Sequence, residues 1–378
     1  MQLTQDILTY IETHSQEALE LLIELAQIPA PSNHEEQRAA FCKDWLEKQG
    51  AEGVYIDEAL NVIYPVGSTQ RGPLSVYMAH SDVVFPDTEP LPLEIRDGRI
   101  CCPGIGDDTA NVAALLMTAK YIAERKLQPA ENGVLLVVNA GEEGLGNLKG
   151  VRRIIADFGS RIREFVSFDD HDCCGVNRAV GSSRYRIAVD TEGGHSFGDF
   201  GHRNAIAELA AVIQRLYAVK VPELGKTTYN VGTISGGTSV NTIAQHAEMP
   251  YEFRSDAKES LKIMQAQMDA ILAEFRSTGL QITVATVGER PCGVAVDADR
   301  EAALMDRACA AAIRHYGKSI RFGSGSTDCN IPLSMGIPSI CVGCYFGGGA
   351  HTREEYVQLD SLLPGLKVAF ELILYHFR

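Results

Sequence analysis

The spacing of apolar residues changes along the chain, and each change marks a predicted element. Ile7, Leu8, Ile11, Leu19, Leu22, Ile23, Leu25 and Ile28 fall at helical intervals, and Pro29 and Pro31 close the segment. Ser32-Asn33-His34-Glu35-Glu36 reads as the start of the next helix, a capping side chain followed by first-turn acids, running to about Gln49-Gly50. Val62 to Val66 and Leu74 to Met78 read as strands; Pro65, lacking an N–H, confines the first to a sheet edge. Val112 to Ile122 is an apolar helix. Val134 to Val138 is an unbroken apolar run, the mark of a strand buried on both faces. A helix near 148–157 and a strand from Glu164 to Phe168 follow. Strands alternating with helices predict an α/β fold, a mostly parallel sheet flanked by helices.

Past Ser183 the rhythm changes. Tyr185 to Val189 alternates apolar and polar, Ala205 to Leu216 is helical, and Asn230 to Ile234 and Ala247 to Phe253 read as strands. Leu261 to Phe275 is a helix and Leu280 to Val287 a strand. That βαββαβ order predicts a ferredoxin-like domain at 184–290. The α/β pattern then resumes, with a helix near 299–316, strands Ile320 to Phe322 and Ser339 to Val342, and a last helix at about 360–375. The smaller domain is therefore an insertion into a larger one made of 1–183 and 291–378.

A length of 378 residues, 45% of them hydrophobic and 22% charged, suits two globular domains with ample core. The formal net charge of −15 argues against nucleic acid or an anionic membrane as partner, because no basic excess is available to pair with phosphates. Met1-Gln2-Leu3-Thr4-Gln5-Asp6 has neither a basic start nor an apolar core, and no apolar run reaches the ~18 residues that span a bilayer; a cytoplasmic location is expected. The ten cysteines include only one Cys-x-x-Cys, Cys341 to Cys344, where a four-cysteine zinc site needs two; buried thiols are expected instead.

The polar clusters interrupt this pattern at telling places. His80-Ser81-Asp82, Gly141-Glu142-Glu143-Gly144, Asp169-Asp170-His171-Asp172 and Gly347-Gly348-Gly349-Ala350-His351 each follow a predicted strand, and Gly104-Ile105-Gly106-Asp107-Asp108 opens a helix. Alone, each has an ordinary reading: a solvated turn, a helix cap, an acidic loop, a structural histidine. Residues i and i+2 of a strand share a side, so Asp82 is placed to lie against His80 and fix its tautomer. Adjacent carboxylates such as Glu142 and Glu143 cannot both stay ionised in one site unless a cation or a proton intervenes. Imidazoles mixed with carboxylates on one sheet edge point to zinc, cobalt or manganese rather than calcium or magnesium.

These stretches, with Gly193-Gly194-His195-Ser196, Asn241 and Arg254, resemble the two-zinc peptidases and amidohydrolases. That family includes peptidase T, glutamate carboxypeptidase, the aminoacylases and succinyl-diaminopimelate desuccinylase, and the resemblance covers nearly the whole chain. It implies two divalent metal ions, zinc first, with cobalt or manganese as alternatives. Asp107 would bridge them, His80 and Asp169 would hold one, and Glu143 and His351 the other; Asp170 competes with its neighbour Asp169. Glu142 would be the general base and Asp82 would support His80. His195 would reach the active site of a second subunit and donate to the oxyanion, which implies a homodimer formed through the inserted lid domain. Asn241, in Gly236-Gly237-Thr238-Ser239-Val240-Asn241, and Arg254 would bind the substrate's carboxylate end, and Asp328 would be a support residue. Thr109 departs from the family, where lysine is common after the aspartate pair.

The activity so implied is metal-assisted amide hydrolysis, with short peptides as first choice of substrate. An N-acyl-amino-acid amidohydrolase (a deacylase) or a carboxypeptidase would use the same groups. A non-catalytic metal-binding scaffold would be expected to lack Glu142 or Asp107, and both are present. A nucleotide-binding enzyme would need a Walker lysine or a complete Gly-x-Gly-x-x-Gly fingerprint, and the chain has neither.

Overall fold

Along the strand Gly133–Asn139, successive side chains enter two different cores. In this computed structural model, which describes residues 2–377, Val134, Leu136 and Val138 pack with Tyr77, Phe168 and Ile340 against the helices Asn111–Glu124 and Leu359–Leu374. Leu135 and Val137 pack on the opposite face, with Val76, Met78, Val151 and Ile154. The period of two in a strand explains the division, and the double burial explains why the run contains no polar residue. Each fully buried Val or Leu there contributes roughly 1.5–3 kcal/mol.

The chain divides into two compact units, Met1–Ala179 with Val294–Arg378, and Val180–Gly293. The first is built on an eight-stranded sheet. Its strand order is Tyr55–Ile56, Val62–Val66, Gly133–Asn139, Leu74–His80, Ile162–Phe168, Ser339–Val342, Cys174–Ala179, Arg321–Gly325. Four of its neighbouring pairs are parallel and three antiparallel, so the sheet is mixed, with its parallel part in the middle. Leu74–His80, Gly133–Asn139, Ile162–Phe168 and Ser339–Val342 run in one direction. Their register sets His80 beside Asn139 and Val342 beside Phe168, so four chain exits gather on one sheet edge. In open α/β sheets that carboxyl edge is where ligands bind.

Three local expectations need correction. The segment 7–28 is two helices, Gln5–Thr13 and Ser15–Ala26; His14 leaves helical geometry between them while its Nδ1 donates to the Tyr10 carbonyl at 2.8 Å. Val62–Val66 is not an edge strand, because Tyr55–Ile56 pairs beside it. That neighbour covers only Val62 and Ile63, so Pro65 still faces no strand on the side it would fail to bond. The strand expected at Asn230 to Ile234 lies at Thr227–Val231. The polar strand Cys174–Ala179 has no apolar pattern to reveal it; it is placed by its neighbours Ser339–Val342 and Arg321–Gly325. All ten cysteines are free thiols, seven of them buried.

The second unit has a four-strand antiparallel sheet in the order Thr227–Val231, His246–Ser255, Gly181–Asp190, Gln281–Arg290, with the short Ser235–Gly236 pairing on His246–Ser255. In sequence the four long strands and two helices run βαββαβ. Tyr185, Ile187 and Val189 alternate with Arg184, Arg186 and Ala188, and the apolar set packs with Met249, Phe253, Leu209, Val212 and Met268. One face is therefore covered by the helices Ala205–Tyr217 and Lys258–Ser277, which carry Leu209, Val212 and Met268.

Candidate metal centre

The gathered turns bring five carboxyl groups and two imidazoles together in three overlapping donor groups. His80 ends its strand and is 1% exposed. Its Nε2 lies 3.1 Å from Asp107 Oδ1 and 3.8 Å from Asp169 Oδ1. The other oxygen of Asp107, Oδ2, lies 3.1 Å from His351 Nε2, which is 2.8 Å from Glu143 Oε1. Asp107 thus stands between two donor groups and offers one oxygen to each. Donor atoms of His80, Asp107, Asp108 and Asp169 converge within 4.8 Å, as do those of Asp107, Glu143 and His351, and those of His80, Glu142 and Glu143.

The donor chemistry fits divalent metal. A tetrahedral ion with bonds of 2.0–2.1 Å has donor–donor edges of roughly 3.3 Å, and the separations above, 2.8 to 3.8 Å, bracket that value. Nitrogen and carboxylate oxygen are zinc-type ligands, and the two-sided Asp107 suits a pair of ions rather than one.

Each donor-bearing turn is held by a buried polar side chain from another turn. Asp82 accepts from the backbone N–H groups of Glu142 and Glu143, both at 3.0 Å, and from Ser32 Oγ at 2.7 Å. Its carboxylate therefore fixes the acidic pair. The contact of Asp82 with His80 is made chiefly by its backbone: His80 Nδ1 donates to the Asp82 carbonyl at 3.0 Å, while the nearest carboxylate oxygen is 3.6 Å away. That bond turns Nε2 toward the centre, and it is made to the main chain of Asp82 rather than to its carboxylate. Asp108 accepts from His80 N at 2.8 Å and from Asn111 Nδ2 at 2.7 Å, which commits one of its oxygens to each. Gly141, with φ +71°, makes the sharp turn that sends Glu142 and Glu143 off the strand; a side chain there would also meet Lys149.

Of the adjacent pair Asp169 and Asp170, one faces the centre. Asp169 is the one turned to His80; Asp170 Oδ1 accepts from His171 N at 2.7 Å. Thr109 is buried, donates to the Gly104 carbonyl and accepts from the wholly buried Arg38, and is not among the donor groups. Asp328 accepts from Asn139 Nδ2 at 2.6 Å beneath the same edge, and burial, followed by the charge of Glu142, pushes its carboxyl up to about 8. Two residues carried no warning in the sequence. Arg38 donates to the Ser81 carbonyl at 2.8 Å and so braces the His80 turn. Glu355, 2% exposed, accepts from Gly104 N, Gly106 N and Asp107 N. Only the three-dimensional closure of 347–358 onto 99–107 brings it there.

The donor side chains together carry a surplus of negative charge. Burial opposes a proton on His80, yet the carboxylates of Asp108, Asp107, Asp82 and Asp169 outweigh it and raise its pKa well above the ordinary value. Burial, then Glu142, Asp107 and Asp108, push Asp169 up as well. His351 is raised to about 10 by its hydrogen bonds to Asp107 and Glu143. Glu143 is pushed to about 7 by burial and by the charges of Asp107 and Glu142, against its bond from His351. A divalent ion at Asp107, Glu143 and His351 must displace these protons. At pH 7 we expect binding there to release protons, chiefly from His351, whose pKa is raised to about 10, with a further share from Glu143, which burial pushes up. Apparent affinity should therefore rise roughly tenfold per pH unit between 7 and 10, and more steeply below 7. Calorimetry in buffers of differing ionisation enthalpy measures the released protons; uptake, or none, would contradict these protonation states.

The second unit carries the other named residues. His195 lies in the pair Gly194–His195 with Thr242–Ile243, and Ser196 N donates to the Asn241 carbonyl at 3.0 Å, so His195 and Asn241 are neighbours. His195 Nδ1 accepts from Phe197 N and Gly198 N, both at 3.2 Å, which leaves the ring proton on Nε2. An open groove of about 670 Å³ runs beside this pair, lined by Gly194, Gly236, Gly237, Thr238 and Thr242 among others. Arg254 lies on the sheet, and its Nε and Nη2 meet the two oxygens of Glu252 at 3.0 and 3.2 Å.

Comparison with known proteins places the chain in a family. The sequence pattern described as peptidase family M20/M25/M40 matches residues 76–375. A succinyl-diaminopimelate desuccinylase of Corynebacterium glutamicum is 25% identical over 349 residues, 89% of this chain and 91% of that protein. Among solved structures, a tripeptidase of Staphylococcus aureus is similar with a TM-score of 0.77 and 24% identity, covering 96% of this chain and 99% of its own. The aminopeptidase PepT of Bacillus cereus matches with a TM-score of 0.71 and 19% identity, over 95% and 98% of the two chains.

Proposed function

The chain belongs to peptidase family M20/M25/M40, a metal-dependent hydrolase of amide bonds, and on that premise we propose that it is a two-metal exopeptidase of short peptides, similar in action to peptidase T. The observation that carries the reading is the two-sided Asp107, with His80 against one oxygen and His351 against the other, Asp169 beside His80 and Glu143 beside His351. In this reading those five residues hold two divalent ions, zinc first, with cobalt or manganese also accepted. When bound, the ions supply the positive charge that polarises the scissile carbonyl and makes water easier to deprotonate. Three carboxylates and two divalent ions come close to neutrality.

Glu142 is the general base. It takes the proton of the attacking water and returns it to the leaving nitrogen. Its converging position beside His80 and Glu143, and its backbone bond to Asp82, support that role. Asp82 acts by holding both acids in place. His195 donates its Nε2–H to the carbonyl oxygen as charge develops there, a role that its tautomer supports. We assign this donation to the site of a second subunit, with the second unit as lid and dimerisation domain; Phe197 and Phe200, 90% and 89% exposed beside His195, are apolar surface for such a contact. Asn241 and Arg254 receive the substrate's carboxylate, which must take the fork of Arg254 from Glu252. No helix among the described residues is long and apolar enough to cross a membrane, and a cytoplasmic enzyme without nucleic-acid partners remains our reading.

A second reading, hydrolysis of N-acyl amino acids, is favoured by the relative named as a desuccinylase; a carboxypeptidase would use the same residues. Rates on di- and tripeptides against N-acetyl and N-succinyl amino acids, each with zinc, cobalt and manganese, separate them. We expect the tripeptides to turn over fastest, and preference for an acyl amino acid would replace the first reading by the second. His195→Ala should lower kcat by roughly 10²–10³-fold with little change in metal content. An unchanged kcat would remove His195 from the reaction.

A further inference from the structure

The loop that delivers His351 to the centre is anchored four residues later, at Glu355. His351 sits at φ 64°, its side chain 56% exposed, in a turn that projects from the sheet edge. The turn is internally bonded: Thr352 N donates to Gly349 O at 2.9 Å, Thr352 Oγ1 to the same oxygen at 2.7 Å, and Glu354 N to Thr352 Oγ1 at 3.3 Å. Its far end is pinned twice. The Glu355 backbone oxygen accepts from Cys102 N at 3.1 Å, and Tyr356–Gln358 pairs with Arg99–Cys101. The Glu355 carboxylate accepts from Gly104 N at 2.7 Å through Oε2, and from Gly106 N at 2.9 Å and Asp107 N at 2.7 Å through Oε1. One buried carboxylate therefore ties the backbone that carries Asp107 to the turn that carries His351.

We propose that Glu355 is a positioning residue that sets the distance between Asp107 and His351, so that the Asp107–Glu143–His351 site depends on it far more than the His80–Asp107–Asp169 site. The asymmetry follows from how the donors are held. His80 and Asp169 leave central strands of the sheet, and His80 N is separately bonded to Asp108. Glu143 is held by Asp82. His351 leaves no central strand; its loop is held by the pairing of Tyr356–Gln358 with Arg99–Cys101, by Arg353 Nη2 on Asp87 at 2.7 Å, and by the Glu355 carboxylate, which alone of these reaches the backbone N–H of Asp107. Without the carboxylate, three buried N–H groups lose their acceptor, and the Gly104–Asp107 turn loses its direct tie to the His351 loop, while the backbone pairing of 99–102 with 355–358 remains.

The inference rests on the two-metal reading, and cobalt(II) binding tests the two separately. Wild type, Glu355→Ala and Glu355→Gln are titrated with cobalt(II), with ion content measured by elemental analysis after dialysis and site geometry followed by visible absorption. Wild type should hold two ions per chain. Glu355→Ala should keep one ion within about tenfold of its wild-type affinity and bind the second at least 30-fold more weakly. Glu355→Gln keeps an oxygen for Gly106 N and Asp107 N and should restore most of the second affinity, a rescue that generalised loosening would not produce. If Glu355→Ala is too unstable to purify, the glutamine variant alone decides, because its second site should still be weakened at least threefold while the first is not. Two ions bound with wild-type affinities in the variants, or both weakened equally, overturns the role of Glu355 and leaves the two-metal reading intact. A wild type that binds no cobalt overturns both.

Discussion

Glu142→Ala is expected to lose roughly 10²–10⁴-fold in kcat while still binding two metal ions per chain. The separation of the two effects is the informative part. Glu142 and Glu143 are adjacent in sequence, both 5% exposed, and both tethered by backbone N–H groups to the same Asp82. Yet they have different company. Glu143 meets His351 and shares a donor group with Asp107, whereas Glu142 converges with His80 and Glu143. If Glu142 moves a proton in each turnover, removing it takes away the base and leaves the five donors in place. Kinetics and elemental analysis of the same dialysed sample measure both quantities. Near-normal turnover would exclude Glu142 as the base, and loss of one ion would recast it as a ligand.

Asp107→Ala is expected to be more severe still, weakening both ions together. Loss of an outer partner of a ligand typically costs 10–100-fold in metal affinity. Asp107 offers an oxygen to each of two donor groups, so its removal should exceed about 100-fold at both, with activity falling to background. His80→Ala, by contrast, should deplete chiefly the ion shared with Asp169. Equilibrium dialysis against graded chelator distinguishes the two patterns. Retention of one tight ion in Asp107→Ala would show that the carboxylate serves a single metal.

Much of the centre was legible because strand exits are legible. A strand buried on both faces is mostly apolar, so the polar residues at its exit stand out: His80 after Met78 and Ala79, Asn139 and then Glu142 after Val138, Asp169 after Phe168. The parallel register then sets those exits side by side, and no further pattern is needed to predict their meeting. Residues that act through buried hydrogen bonds were not legible. Glu355 follows Glu354 in a short polar run, and nothing in Arg353-Glu354-Glu355 tells the exposed acid from the one that accepts three N–H bonds. Arg38 reads as an ordinary helix-surface charge, although it is 3% exposed and bonded to main-chain oxygens. Pro65 misled for a related reason. Its missing N–H does require an unpaired side, but that side is supplied by the shortness of Tyr55–Ile56 rather than by the edge of the sheet. The polar strand Cys174–Ala179 lies between two neighbours whose pairing supplies the order that its own sequence does not declare.

Among the five carboxyl groups and two imidazoles gathered there, His351 is raised to about 10 by its bonds to Asp107 and Glu143, and burial pushes Glu143 up to about 7. The same groups are poised to exchange protons for cations, which ties metal affinity to pH and predicts a weakly loaded, weakly active enzyme in acid.

The account stands most directly on a metal titration of activity. Metal-free protein is supplied with increasing zinc, and hydrolysis of a tripeptide is followed at each ratio. The account predicts no turnover without metal, little at one ion per chain, and a plateau at two. Hydrolysis that persists in excess chelator, or no hydrolysis of any peptide or N-acyl amino acid at any metal ratio, would contradict it.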